Sequence, residues 1–325
     1  MNPYIGHESQ IYGVEEHRLV GGRGNGMRLL EVRNGLGLEM TLSLDRCADI
    51  SRLIFGGANM GYFSPCGYVA PAYYRHTGDG WLRSFTAGFL TTCGLEAVGT
   101  PCVDEGEELP LHGGIANTPA ASWSSFEDSG ELVIRARMED EAIFGRKLRL
   151  HREYRVSLTD NTFHLCDTVE NTGDRREPYE LLYHMNMGWP LLDEDSVVEI
   201  PSASVAPRDE HAAEDIANCL RMEKPQPGYQ ERCYYHKFAG TDGSASIYQP
   251  KLRRGIKITF DTGTLDAFTQ WKMMGVRDYV LGLEPGNCTP DGRDVMRRNG
   301  LLKFLKAGER MTYEIRVSLF EGNDK

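Results

Sequence analysis

Two residues in this chain of 325 have the type and the setting for acid–base chemistry. His184 sits in Leu181-Leu182-Tyr183-His184-Met185-Asn186-Met187-Gly188-Trp189-Pro190, an apolar run stopped by Gly-Trp-Pro. Such a run reads as a buried strand that ends abruptly, which holds the histidine near a strand end. Histidine is the side chain best suited to move protons near neutral pH. Glu284 follows Tyr279-Val280-Leu281-Gly282-Leu283, and Pro285-Gly286 turns the chain directly after it. A lone histidine in such a run is more often a satisfied core residue, and a glutamate at a turn is more often on the surface. Yet Val-Leu-Gly-Leu should be buried, and a carboxylate at the end of a buried run is a candidate for a raised pKa and a general-base role. One histidine and one glutamate at strand ends could face each other across a pocket as acid and base.

Other residues could serve such a pair. His112 lies in Leu111-His112-Gly113-Gly114, where the glycines permit unusual dihedrals and close backbone approach to a ligand. Arg46 and Arg83 each offer a planar fork for hydroxyls or a carboxylate, although a surface or structural arginine is the commoner case. Trp271 could stack on the apolar face of a sugar ring, although core packing is the usual fate of a tryptophan. A divalent-metal site from His112, His184, His236 and Glu284 lacks any H-x-H or H-E-x-x-H spacing, so no metal is expected. Cys93 has no local activating group. Gly21 to Gly26 is glycine-rich but follows no strand-then-helix pattern, so no phosphate cradle is expected.

The elements that must position these residues are strands. Met27 to Arg33 and Leu36 to Leu44 alternate and are joined at Asn34-Gly35, a type I′ hairpin signal. Alternation recurs at Glu131 to Met138, Lys147 to Val156, Asn161 to Glu170, Val197 to Ile200, Ser244 to Gln249, Gly255 to Phe260, Ala267 to Trp271, Tyr279 to Leu283 and Arg310 to Phe320. So many strands with turns between them predict a mostly β fold, a large antiparallel β-sandwich or barrel. Helix is expected only at His211 to Met222 and, for a turn or two, at Val295 to Lys306. The stretch from Phe63 to Ala121 breaks the alternation. It is aromatic and rich in Gly and Pro, so it is expected to wrap over a sheet face and build a pocket. With no repeat and no low-complexity linker, residues 1–325 are expected to form a single domain.

Composition narrows the partners. The net charge of −11, with no basic stripe, argues against nucleic acid and anionic membrane. No run approaches the roughly 18 apolar residues of a membrane helix. The first residues lack a secretory signal pattern, and the eight cysteines contain no C-x-x-C pair, so a cytoplasmic protein with reduced thiols is expected. The sequence carries no signal of oligomeric state.

The motifs also have a familiar order. Leu-His-Gly-Gly, then a strand with His184 and Asn186, then Gly282-Leu283-Glu284-Pro285-Gly286-Asn287-x-x-Pro290-Asp291 resembles the aldose 1-epimerase, or galactose mutarotase-like, superfamily. Ile258 to Gly263 with Phe268 to Trp271 resembles the strands just ahead of that family's glutamate. Asp45 to Ile50, Thr91 to Leu95 and Leu181 to Gly188 look like its DUF4432 branch. The resemblance implies a β-supersandwich with an open groove, a small-molecule sugar as substrate, and no metal or nucleotide cofactor. It implies that His184 is the general acid at the pyranose ring oxygen and Glu284 the general base at the anomeric hydroxyl. It implies that His112 binds substrate, with Arg83 and Asn186 near expected contact positions. One departure stands out: where the family has an aspartate-histidine pair, this chain has Tyr235-His236, and Glu231 is the nearby carboxylate that could replace it. Anomer interconversion is therefore the expected reaction. Aldose–ketose isomerisation or elimination by the same pair, and non-catalytic sugar binding on the same fold, are the alternatives.

Overall fold

The structure, a computed structural model, describes residues 3–322. Its largest sheets are antiparallel. One has eight strands in the order 122–128, 131–141, 147–157, 162–171, 310–321, 254–261, 242–249 and 197–199. The other runs 204–207, 232–237, 267–274, 279–286, 177–187 and 303–305, and the 90–95 strand also pairs with 177–187. A five-stranded sheet forms from the chain up to Asn59. Period-two alternation explains the layering. Along Lys147–Ser157 every second residue is buried, and Leu148, Leu150, Tyr154 and Val156 point inward. They meet Leu181, Tyr183 and Met185 from the second sheet and Leu30, Leu42 and Leu53 from the third in one hydrophobic cluster. The expected β-sandwich is thus the observed fold.

Glu177–Met187 differs from the outer strands in being buried on both faces along most of its length. Its inner face packs in the core, and its other face carries His184 and packs Leu182 in a second cluster with Trp81 and Phe85.

Three local expectations are corrected. The Asn34-Gly35 hairpin is not a two-residue turn: the Asn34 N–H donates to the Leu38 carbonyl, and the Asn34 Oδ1 accepts from the N–H groups of Leu36 and Leu38. An asparagine that caps its own turn widens the loop. The helix expected over His211 to Met222 shrinks to Glu210–Ala213, capped by Asp209, followed by a 3₁₀ turn at Ile216–Asn218. The second helix is Arg293–Arg298, ahead of its expected start, and Lys303–Leu305 is a strand edge paired with Glu177–Tyr179. Ala212, Ile216, Cys219 and Leu220 do recur at helical spacing, yet two short turns suffice to pack them against Tyr234 and Val205, and Lys303–Leu305 is drawn into the sheet by Glu177–Tyr179. The Phe63 to Ala121 stretch is mostly short strands and 3₁₀ turns, but it contains one regular strand, Leu90–Leu95.

Among the described residues, no helix is long and apolar enough to cross a membrane. All eight cysteines are free thiols.

Candidate active site

Strand register brings the acid–base pair together. The Glu177–Met187 and Tyr279–Gly286 strands pair so that Leu182 faces Gly286 and Met185 faces Leu283, which sets His184 opposite Glu284. The same row continues through Thr91 beside His184, and through Thr269 and Tyr235 beyond Glu284. Directly opposed residues share a sheet face, so five strands contribute to one row.

His184 Nδ1 and Glu284 Oε1 are 3.3 Å apart. Both atoms are buried, and neither has a hydrogen-bond partner. The two groups therefore stand side by side rather than across a pocket. Burial pushes His184 down to about 4, opposed by the polar Asn186 side chain. Burial pushes Glu284 well above the usual carboxylate range; Glu231 adds to this and Arg208 opposes it. Both shifts favour the uncharged forms, neutral imidazole and protonated carboxyl.

Gly282 makes room for the glutamate. It faces both Asn186 and Trp271 across its neighbouring strands. A Cβ there would lie 2.2 Å from Glu284 Oε1 and 3.0 Å from Trp271 Cβ. The carboxyl folds back over the bare glycine, so any side chain would evict it.

Four rings surround His184. Trp271 is 5.1 Å away between centroids, Phe85 5.3 Å, His112 5.7 Å and Trp81 6.3 Å. Above them opens a cleft of about 250 Å³, lined by Trp81, Phe85, His112, Thr269, Trp271 and Glu284 among others, with Arg208 and Glu231 also in its wall. That is small for a drug-sized ligand and suits a single small ring. A larger cleft of about 770 Å³ lies between residues 194 and 232. Its carboxylates pair with nearby cations, such as Glu223 with Lys272 and Glu194 with Lys224, and it holds no such acid–base couple.

His112 is held by its backbone. It sits at φ +57°, while its N–H donates to the Gly99 carbonyl and its carbonyl accepts from the Gly94 N–H. The next residue, Gly113, has φ +69°, and a Cβ there would lie 2.3 Å from the Gly94 oxygen. Only glycine fits, and the strain it relieves next to a binding ring is typical of functional sites. The Gly99 N–H donates to His112 Nδ1 at 3.3 Å. Burial, and secondarily His184, push His112 down to about 3. The neutral ring therefore carries its hydrogen on Nε2 and is a hydrogen-bond donor there.

Glu231 and Trp271 are also at the cleft. Trp271 Nε1 donates to Glu231 Oε2 at 2.7 Å, and Arg208 donates to Glu231 Oε1 at 3.2 Å. Asn186 is buried beneath the pair, with its amide donating to the His184 carbonyl at 2.9 Å, so it positions His184 and does not line the cleft. The two arginines singled out from sequence stand elsewhere. Arg46 is buried and spends its guanidinium on the carbonyls of Ala116 and Val69. Arg83 points to the exposed side of the 3₁₀ turn Gly80–Arg83, whose Trp81 and Leu82 line the cleft in its place. His236, weighed as a metal ligand, faces the opposite side of its strand and bonds Ser202 and Gln270. Among the described residues, the group with metal-ligand spacing is the exposed Glu15, His17 and Glu31.

Sequence reasoning passed over Arg208, Thr269, Phe85 and Gly282. A glycine inside a strand run signals close approach, and alternation alone places Thr269 on the face of Trp271. Arg208 follows the Ser204–Pro207 strand and carries no local signal.

Comparison with known proteins agrees with this architecture. A candidate aldose 1-epimerase of Klebsiella pneumoniae superposes with a TM-score of 0.90 at 26% identity, over 97% of this chain and 86% of that one. A galactose mutarotase-like protein of Clostridium acetobutylicum gives 0.69 at 12% identity, over 96% and 99%. The galactose 1-epimerase of Lactobacillus acidophilus gives 0.66 at 14%, over 96% and 100%. The last two establish the shared fold alone. No curated protein matches the sequence. A family profile, that of the domain of unknown function DUF4432, matches residues 24–319, and this chain belongs to that family, on a galactose mutarotase-like β-sandwich.

Proposed function

We propose that this protein interconverts the anomers of an aldopyranose by acid–base ring opening and closure at His184 and Glu284. The observation that carries the reading is the 3.3 Å contact between two buried groups that lack partners, set beneath a ring-sized aromatic cleft. In ring opening the anomeric hydroxyl loses its proton, the bond from C1 to the ring oxygen breaks, and the ring oxygen gains a proton. Both oxygens are bonded to C1, so the base and the acid must be near neighbours. Rotation about C1–C2 and the reverse transfers close the other anomer.

The pair carries one exchangeable proton. Burial favours neutral His184 with protonated Glu284; moving the proton across the contact gives the imidazolium and carboxylate in which His184 is the acid and Glu284 the base. Opening and closing use both arrangements. Trp271 offers a stacking face, His112 Nε2–H a donor, and Arg208 with Glu231 a polar wall for hydroxyls. The fold shared with the candidate epimerase supports the same reading. A cytoplasmic setting accords with the free thiols.

The test is saturation-transfer NMR of anomeric exchange over a panel of aldoses, including acidic and sulfonated sugars. Acceleration on at least one is expected. A sugar that binds without acceleration points instead to isomerisation, elimination or binding alone, and ends the mutarotase reading.

Two predictions follow from the geometry. Activity should hold steady across neutral pH. It should fall on the acid side as His184 gains a proton near 4, and on the alkaline side as the pair loses its proton from the raised Glu284 carboxyl. A narrow optimum between the ordinary carboxylate and imidazole values would contradict these shifts. Separately, Gly282→Ala should lower the exchange rate on the order of 10²-fold by displacing the carboxyl, with sugar affinity less affected. A wild-type rate in that variant would show that the carboxyl position is not decisive.

A further inference from the structure

His184 Nδ1 and Glu284 Oε1 are not the only unpartnered polar atoms at the cleft. Thr269 Oγ1 and Trp81 Nε1 are also buried without a hydrogen-bond partner, and both residues line it. Thr269 is 1% exposed and Trp81 2%. Native interiors leave few such groups unpaired, since each costs about 1–3 kcal/mol. Three of the four residues, Thr269, Trp81 and Glu284, line the cleft and the fourth, His184, adjoins Glu284, so a polar ligand in the cleft is placed to satisfy them.

Their positions differ in use. Thr269 pairs directly with Glu284 across adjacent strands and lies on the side of it away from His184. Trp81 is stacked on Phe85 at 4.2 Å and lies 4.6 Å from His112, which fixes the indole. Its Nε1–H is a donor only and needs an oxygen acceptor.

We infer that Thr269 and Trp81 are substrate-binding groups: Thr269 Oγ1–H donates to the anomeric oxygen, and Trp81 Nε1–H donates to a hydroxyl on the His112 side of the sugar. This rests on the aldopyranose reading of the site. When the anomeric hydroxyl gives up its proton, charge develops on that oxygen before the ring bond has broken. A hydroxyl donor aimed there stabilises the oxygen as the charge grows. The proton moves between the substrate and the His184–Glu284 pair; Thr269 keeps its own. Thr269 also favours substrates with a free anomeric hydroxyl.

The experiment compares wild type with Thr269→Val, Thr269→Ser and Trp81→Phe. The probes are D-glucose, D-galactose, D-mannose, D-glucuronate and their 1,5-anhydro analogues, which lack the anomeric oxygen. Affinity is read by NMR titration, turnover by anomeric exchange and stability by thermal unfolding. Thr269→Val should slow exchange about tenfold or more, the scale of one lost hydrogen bond in a developing charge. Thr269→Ser should stay within about twofold of wild type, the hydroxyl being kept. Thr269→Val should weaken the parent sugar yet bind its anhydro analogue as wild type does. It should also melt no lower than wild type, because the hydroxyl it removes is unsatisfied without substrate. A structural hydroxyl would lower the melting point instead. Trp81→Phe should weaken binding about tenfold with an unchanged pH profile.

Exchange by Thr269→Val at the wild-type rate overturns the Thr269 assignment and leaves the mutarotase reading intact. If wild type accelerates no sugar, that reading fails alone, and equal affinities of wild type and Thr269→Val for a bound parent sugar would then overturn the inference. Binding of none of the probes by wild type overturns it outright.

Discussion

Glu284→Gln should bind sugar and fold normally, yet lose anomeric exchange by on the order of 10²- to 10⁴-fold, the range of a general acid–base group. The substitution is isosteric and keeps the group neutral. In the free protein Glu284 is held protonated by burial, with Glu231 adding to the effect and Arg208 opposing it. Glutamine therefore imitates the ground state and removes only the ability to exchange a proton. The stability profile should change as well. A carboxyl whose folded pKa is raised keeps its proton in the fold while the unfolded chain loses it. Wild type thus loses stability as pH rises from the ordinary carboxylate value toward the raised one. Glu284→Gln should flatten part of that slope. Glu180, raised to about 8 chiefly by burial, and Asp49 and Asp140, also raised chiefly by burial, keep the remainder. Denaturation midpoints at pH 5 and pH 8, read beside exchange rates, separate the two effects. Unchanged exchange on a sugar that wild type accelerates would remove Glu284 from the chemistry.

The second large effect falls on stability. Arg152 is fully buried between the sheets and donates to Asp49 at 2.6 Å, to Asp167 at 2.6 and 2.9 Å, to Thr92 Oγ1 at 2.8 Å and to the Cys47 carbonyl at 2.9 Å. Asp49 in turn accepts from the Thr92 N–H and hydroxyl. Thr92 pairs with Tyr183, one residue from His184, so this network backs the strand that carries the site. Arg152→Leu leaves two buried carboxylates without their cation. Breaking a buried pair in this way costs about 3–5 kcal/mol. With an unfolding entropy of about 2 cal/mol/K per residue, that lowers the melting point of a chain this long by roughly 4–7 °C. The triple change Arg152→Leu, Asp49→Asn, Asp167→Asn should recover much of the loss, because the penalty comes from the stranded charges. A melting point within 1 °C of wild type for Arg152→Leu (a threshold of about the reading error, far below the expected shift) would show that water reaches the carboxylates.

The sequence by itself determined the fold class. Alternation with a period of two is a local property, and it wrote the buried and exposed faces of Lys147–Ser157 and Arg310–Glu321 without reference to the rest of the chain. It also determined where His184 and Glu284 lie, because the apolar runs that carry them must be buried wherever they pair. Tertiary structure alone decided who meets whom. Register between two strands distant in sequence put His184 opposite Glu284 in direct contact, and a shift of one residue would have turned one of them to the other face. Long, flexible cations were the least legible. Arg46 went to the carbonyls of Ala116 and Val69, Arg83 to solvent, and Arg208 to the cleft wall. An arginine reaches many places from one backbone position, so its destination depends on partners supplied by remote segments, whereas a strand's faces are fixed by geometry that spans only two residues.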